Sequence, residues 1–214
     1  VKLLLLSDTH GHHPKDLPDA DVLVHAGDWS SVGAQGEHQK FFRWVDDVLT
    51  ERYGDIVVVP GNHDRWAFAN PQLVRDEFAQ IGVTYLEDCG ATIQGRKFYG
   101  MPWSPIFGRW AYMCDGKALG QRCSVIPDDV EVLITHCPPY GFRDAVERTP
   151  GNWMNVGSPE VYRAINRIKP KLHCFGHIHE GHGEEDYGSI KLANASIMDR
   201  YYRPVNSPIL VEIA

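Results

Sequence analysis

Five separate runs of apolar, strand-forming residues in this chain each stop at a side chain able to hold a metal ion. Leu3–Leu6 runs into Asp8-Thr9-His10, Val22–Val24 into Asp28, Ile56–Val59 into Asn62-His63-Asp64, Val132–Ile134 into His136, and Leu172–Phe175 into His177-Ile178-His179. Short Leu-, Val- and Ile-rich runs bounded by Gly or Pro read as strands buried on both faces. Open α/β sheets build their ligand sites just beyond the carboxyl ends of such strands. The five ligand groups are therefore expected to converge on one crevice.

The spacing supports that expectation. Side chains two apart at a strand end point to the same face, so Asp8 with His10, and His177 with His179, can each act as a pincer. Gly27, Gly61 and Gly176 directly precede Asp28, Asn62 and His177, where a sharp turn and a close approach of backbone to ligand are needed. A donor set of carboxylate, imidazole and one amide suits a borderline divalent ion such as Mn, Fe, Zn, Co or Ni. Of the eleven histidines, five fall on the pattern; His12, His13, His25, His38, His173 and His182 are read as non-ligands, with His182 placed at the pocket wall. The sum is the signature of a two-metal phosphoester hydrolase.

With 214 residues, 43% hydrophobic and 23% charged, the chain is expected to form one compact domain with a real core. A formal net charge of −7 argues against gripping a nucleic-acid polymer through its backbone, so small substrates are expected. The five cysteines are scattered, with no C-x-x-C pair, which indicates neither a disulfide framework nor a zinc knuckle and suits a reducing cytoplasm. The opening Val1–Leu6 is too short for a secretory segment and reads as the first core strand, with no membrane association expected.

Helical periodicity runs from Gly36 to Tyr53, from Pro71 to Ile81 and from Pro159 to Ile168. Thr84–Leu86, Thr92–Gln94 and Lys97–Tyr99 look like short antiparallel strands between glycine turns, and Ser189–Ala193 and Ile209–Ile213 like two further strands.

In order, Asp8-x-His10, Gly27-Asp28, Gly61-Asn62-His63-Asp64, Thr135-His136 and Gly176-His177-x-His179 resemble the motifs of the calcineurin-like metallophosphoesterases: D-x-H, G-D, G-N-H-[DE], H and G-H-x-H. More narrowly, Gly100–Trp103, Leu133–Pro139, Phe175–Gly181, Asn194–Ser196 and Pro204–Ile209 look like the brain-type metallophosphoesterase-domain-containing subgroup, associated with cyclic nucleotide phosphodiesterase activity. The resemblance implies the α/β calcineurin-like fold, a two-sheet β-sandwich core flanked by helices, as a single metallophosphoesterase domain over 1–214. It implies two divalent ions, manganese foremost: one held by Asp8, His10, Asp28 and His179, the other by Asp28, Asn62, His136 and His177, with Asp28 bridging. In such a centre the ions sit roughly 3.5–4 Å apart and a bridging hydroxide attacks phosphorus in line. Two divalent ions against two carboxylates and a hydroxide leave a net charge of about +1 to attract a phosphodiester. His63 is implied as the group assisting the departing oxygen, with Asp64 orienting it.

The expected reaction is hydrolysis of small phosphodiesters, cyclic nucleotides of the 2′,3′-cAMP or 3′,5′-cAMP type being favoured. A phosphomonoesterase or protein phosphatase, a repair nuclease and a non-catalytic interaction scaffold are the alternatives. Gly27-Asp28-Trp29-Ser30-Ser31 lacks the Asp-Arg that follows G-D in the protein phosphatases, a repair nuclease is opposed by the absence of a basic patch and of room for a separate DNA-capping domain, and the scaffold reading is opposed by a complete motif set. Trp103, Phe107, Trp110 and Tyr112 lie in a Pro- and Gly-containing loop where a base could stack or the rings could cover the core. Trp29 carries the same two readings, and Trp29, Trp103 and His182 are the substrate-contact candidates. Cys137 stands where the subgroup has glycine, and is expected either to narrow the pocket or to make activity oxidant-sensitive.

Overall fold

The computed structural model describes residues 1–213. The first elements in the chain are β1 (Lys2–Leu6), β2 (Val22–His25), α1 (Gln35–Trp44), β3 (Asp55–Val58), α2 (Arg65–Ala69), α3 (Pro71–Gln80) and β4 (Thr84–Tyr85). There follow β5 (Cys89–Ile93), β6 (Arg96–Met101), β7 (Ser104–Pro105), β8 (Met113–Cys114), α4 (Gly116–Ser124) and β9 (Val132–Thr135). The remainder comprises β10 (Ala145–Thr149), β11 (Asn152–Asn155), α5 (Pro159–Ile168), β12 (Leu172–Phe175), β13 (Gly183–Tyr187), β14 (Ile190–Asn194) and β15 (Ile209–Glu212).

Two sheets face each other. The first has the order β15-β1-β2-β3-β4, parallel except where β15 closes one edge, and the second the order β13-β14-β12-β9-β6-β5, with parallel pairing at its centre. Alternation along each strand feeds two different cores. In β1, Leu3 and Leu5 join Val132, Ile134, Leu172 and Cys174 of the opposite sheet, while Leu4 and Leu6 pack under Phe41 of α1 and Phe78 of α3. On the far side, Leu133 and Phe175 meet Leu119 of α4 and Val161 and Ile165 of α5. The result is a helix–sheet–sheet–helix stack, the sandwich the motifs implied, and it explains why the strands read as continuous apolar runs.

Some local expectations are corrected. Thr84–Tyr85 pairs parallel with β3, not antiparallel, because it ends a crossover through α3. β5 and β6 do form an antiparallel pair, but β6 also lies inside the second sheet, parallel to β9. The first helix gives way after Trp44 to one π-helical turn, Val45–Leu49. Several elements were unforeseen: α2, the short strands β7 and β8, α4, β13 and the β10–β11 hairpin. α4 contains Gly116 and Gly120, which weaken a helical signal, although Asp115 caps it by accepting from Ala118 N–H. β13 is an acidic edge strand, and the β10–β11 hairpin is separate from both sheets and largely exposed. Among the described residues no helix is long and apolar enough to cross a membrane.

His173 illustrates how the core treats a polar group. Thr135 Oγ1 donates to Cys137 O at 2.6 Å, so His173 Nε2 must be the donor in its 2.8 Å contact with that hydroxyl, and its Nδ1 lone pair is buried without a partner. Burial alone pushes the imidazole pKa from 6.5 down to about 3. Between those limits the unfolded chain takes up a proton that the native chain refuses, so stability falls as pH falls through that window and is unaffected by this group above it. A His173→Leu variant, unfolded in urea without metal at pH 6.5 and pH 4.5, should lose roughly 2 kcal/mol less than the parent over the interval. An identical loss in both would show that His173 does not titrate in this way.

Candidate metal centre

The carboxyl ends of β1, β2, β9 and β12 are fastened to one another. Asp8 N–H donates to Gly27 O (2.8 Å), His10 N–H to Asp28 O (3.0 Å) and Gly176 N–H to His136 O (3.1 Å). His177 N–H reaches across from the second sheet to both Asp8 carboxylate oxygens, at 2.9 and 3.1 Å. Asp8, His10, Asp28 and His177 have φ values of 53°, 42°, 57° and 70°, a left-handed conformation costing a non-glycine residue about 1–3 kcal/mol and typical of functional sites. Glycine is obligatory beside them: a Cβ on Gly61 would collide with Asp28 Oδ1, and one on Gly176 with Ser7 and Asp8 Oδ2.

Backbone carbonyls fix the imidazole tautomers. His10 Nδ1 donates to Ser30 O (2.8 Å), His63 Nδ1 to Ser31 O (2.5 Å), His136 Nδ1 to Ala26 O (2.9 Å) and His179 Nδ1 to Asp199 O (3.0 Å). A carbonyl only accepts, so the neutral ring in each case keeps its proton on Nδ1 and turns an Nε2 lone pair inward. Donor atoms then cluster within 4.8 Å in three sets: Asp8, His10 and His179; His10, Asp28 and His63; Asp28, His136 and His177. His10 Nε2 and His179 Nε2 approach to 3.2 Å, each already donating through its other nitrogen, an arrangement a cation satisfies. His136 Nε2 lies 3.2 Å from Asp28 Oδ2 and 3.0 Å from Asn62 Oδ1. None of the other six histidines enters these sets among the described residues.

The centre is strongly polarised. Burial opposes ionisation of Asp8 and Asp28, but His179 beside the first and His136 beside the second prevail, holding both carboxyls well below the usual range. Burial likewise opposes charging of His136, and the Asp28 carboxylate overcomes it, raising its pKa to about 9. His177 goes the other way, pushed down to about 3 by burial and by His136.

Asp64 has a different task from the one expected. Its carboxylate accepts from the N–H groups of Asp28 (2.9 Å), Gly61 (2.7 Å) and Ser30 (3.0 Å), and makes no bond to the His63 ring, which Ser31 O orients instead. Burial and the nearby Asp28 charge push its pKa upward; three amide donors and no acceptor partner keep it a carboxylate.

A cleft of about 540 Å³ opens over Asp28, Asn62, His63, His177 and His179. Its walls come from the 105–110 loop, the β10–β11 hairpin and the segment holding Arg200 and Tyr202. The three substrate-contact candidates are elsewhere. Trp29 is 1% exposed and stacks on Phe41 in the core beneath α1, Trp103 donates to Asp88 with Arg122 over its ring, and His182 sits beside Arg143, outside the cleft lining. Of the loop aromatics Phe107 and Trp110 line the cleft, whereas Tyr112 is fully buried. Cys137 is buried against Pro138 O with its thiol pKa pushed up by burial, so it neither narrows the cleft nor offers a reactive thiolate. Sequence reasoning missed Tyr202, whose ring lies 4.8 Å from His10 and 4.9 Å from His179, and the cleft residues Glu147, Arg148, Glu180 and Arg200. Their position between the subgroup-like Asn194–Ser196 and Pro204–Ile209 segments was a usable signal for Tyr202 and Arg200.

The family model for calcineurin-like phosphoesterases matches residues 1–181. The chain belongs to the calcineurin-like phosphoesterases. Metallophosphoesterase domain-containing protein 1 of human and of mouse is 34% identical, covering 100% of this chain and 71% of each relative. A UPF0046 protein of Caenorhabditis elegans is 30% identical, covering 100% of this chain and 75% of its own. The solved phosphopantetheinyl hydrolase of Mycobacterium tuberculosis shares the fold, with a TM-score of 0.64 at 16% identity, covering 98% of this chain and 95% of that one. As a calcineurin-like phosphoesterase the chain is a metal-dependent phosphoester hydrolase of a family that generally binds a dimetal centre, and its His/Asp clusters fit metal binding.

Replacing Asp64 by Asn substitutes an N–H-bearing group for an acceptor facing three amides. Asp64→Asn should cost roughly 2–3 kcal/mol of stability and lower metal content in parallel, read by urea unfolding and elemental analysis. An unchanged midpoint would show that the carboxylate does not hold the two loops.

Proposed function

We propose that this chain is a phosphodiesterase for small substrates, with cyclic nucleotides of the 2′,3′ or 3′,5′ type the favoured class. The observation carrying the diester reading is His63. Its imidazole lines the cleft with Nε2 4.0 Å from Asp28 Oδ2 while Nδ1 donates to Ser31 O, so the ring in its doubly protonated, imidazolium form presents Nε2–H to a departing oxygen. An alkoxide is a poor leaving group at neutral pH, and a positioned acid contributes about 10²–10⁴-fold for such esters.

Asp8, His10, Asp28 and His179 would hold one divalent ion and Asp28, Asn62, His136 and His177 the other, with manganese foremost and Fe, Zn, Co or Ni chemically suited. When bound, such a pair supplies Lewis-acid polarisation of the ester and activation of water. The protein's own residues do the rest. The carbonyls of Ala26, Ser30 and Asp199 orient the ligand imidazoles, and Asn194, donating to Ile178 O and Arg143 O, steadies the segment between His177 and His179. As the oxygen of a water molecule bonds to phosphorus, the imidazolium Nε2–H of His63 would protonate the ester oxygen whose P–O bond breaks, so a cyclic diester opens to a phosphate monoester carrying a free hydroxyl on the same molecule.

The cleft volume suits a nucleotide better than a polymer, and Phe107, 57% exposed at the rim, is the ring best placed for a base; Trp110 already has the His63 imidazole stacked on it. A net charge of −7 likewise disfavours a nucleic-acid polymer. Five free cysteines suit a reducing cytoplasm.

Metal-stripped protein reconstituted with manganese should hydrolyse 2′,3′-cAMP, with Asp28→Asn inactive and His63→Ala slowed by about 10²–10⁴-fold while still binding metal. Turnover of p-nitrophenyl phosphate with none of any diester would replace the diesterase reading by a monoesterase. Metal-loaded protein inert on every phosphoester would point to a scaffold role.

A further inference from the structure

The 106–112 loop is docked onto the segment that carries His63. Ala111 N–H donates to Asn62 O (3.1 Å) and Arg65 Nη2 to Arg109 O (2.7 Å). Between these two anchors the Trp110 indole stacks on the His63 imidazole, with centroids 4.0 Å apart and planes inclined by 28°. The Arg65 guanidinium lies over the same indole, 4.8 Å from its centroid.

The bond from His63 Nδ1 to Ser31 O fixes one edge of the ring but leaves it free to swing about that axis. A near-parallel aromatic plane at stacking distance removes the swing. His10 meets the imidazole nearly edge-on, 4.7 Å away at 80°, and completes the confinement. The Tyr202 ring is farther off and tilted, 6.3 Å away at 58°, so among the described residues Trp110 alone stacks on His63 and sets the inclination of its plane.

We propose that Trp110 is a positioning residue for His63: the indole, anchored by Arg65 and by the Ala111–Asn62 bond, holds the imidazole plane so that Nε2 points at the leaving oxygen. The inference rests on the proton-donor reading of His63. It makes Trp110 matter in proportion to how much help a leaving group needs. A cyclic nucleotide expels an alkoxide and needs a proton delivered along a defined line, whereas bis(p-nitrophenyl) phosphate expels a stabilised phenolate and does not. Loss of packing or of general binding would slow both alike.

The test compares Trp110→Ala and Trp110→Phe with the parent on 2′,3′-cAMP and on bis(p-nitrophenyl) phosphate, each protein manganese-loaded and shown to bind the same metal content. His63→Ala is run alongside. Trp110→Ala should lower kcat on the cyclic nucleotide by about 10-fold or more, yet change kcat on the aryl diester by less than about 3-fold, since misaligned proton transfer penalises the poor leaving group. Trp110→Phe, which keeps a stacking plane, should restore most of the loss. Equal losses on the two substrates, or none on either, would overturn the proposal while leaving His63 in its role, provided His63→Ala itself shows the leaving-group selectivity. If His63→Ala lacks that selectivity, the proton-donor reading fails, and the positioning role fails with it.

Discussion

One buried carboxylate holds the site in shape. Asp64 accepts three backbone N–H bonds, from Asp28 and Ser30 on the loop after β2 and from Gly61 on the loop after β3. Charge-assisted bonds to main-chain donors are among the stronger a protein makes, and here they close two loops over one point. From that point Asp28 gains its left-handed turn, Ser30 and Ser31 present carbonyls to His10 and His63, and Asn62 is brought to His136. Carboxylates and imidazoles make up the donor clusters, but a side chain that belongs neither to those clusters nor to the cleft lining sets their coordinates.

The second requirement is that two sheets end at the same place. Asp8 leaves β1 in one sheet, His177 leaves β12 in the other, and the His177 N–H bond to the Asp8 carboxylate joins them. Packing between the sheets, with Leu3 and Leu5 against Val132, Ile134, Leu172 and Cys174, makes that meeting rigid. Strain at the four left-handed residues is stored against this core, as expected where backbone geometry is dictated by function.

Much of this was legible beforehand for a physical reason. A strand buried on both faces must be apolar throughout, so the abrupt arrival of Asp, His or Asn marks where a strand ends and where a candidate ligand stands. Glycines at 61 and 176 were equally readable, because a carboxylate occupies the space their Cβ would need. Illegible were groups whose role depends on contacts distant in sequence. Asp64 looked like a partner of its neighbour His63 but bonds to amides of residues 28, 30 and 61. Trp29 sits next to Asp28, yet the left-handed turn there sends its indole into the core against Phe41. Cys137, adjacent to His136, is likewise turned inward. Main-chain carbonyl partners of the histidines leave no side-chain signature at all.

The β10–β11 hairpin stands apart from both sheets and exposes most of its surface, while Val146, Glu147 and Arg148 on it face the cleft. Asp144 staples its base by accepting from Gly141, Asn155 and Gly157, and the Glu147–Arg200 ion pair links it to the opposite wall. Substitution there disturbs no residue of the three apolar cores. The lining of the cleft can therefore be altered at these positions without touching the packing that holds the donor clusters together.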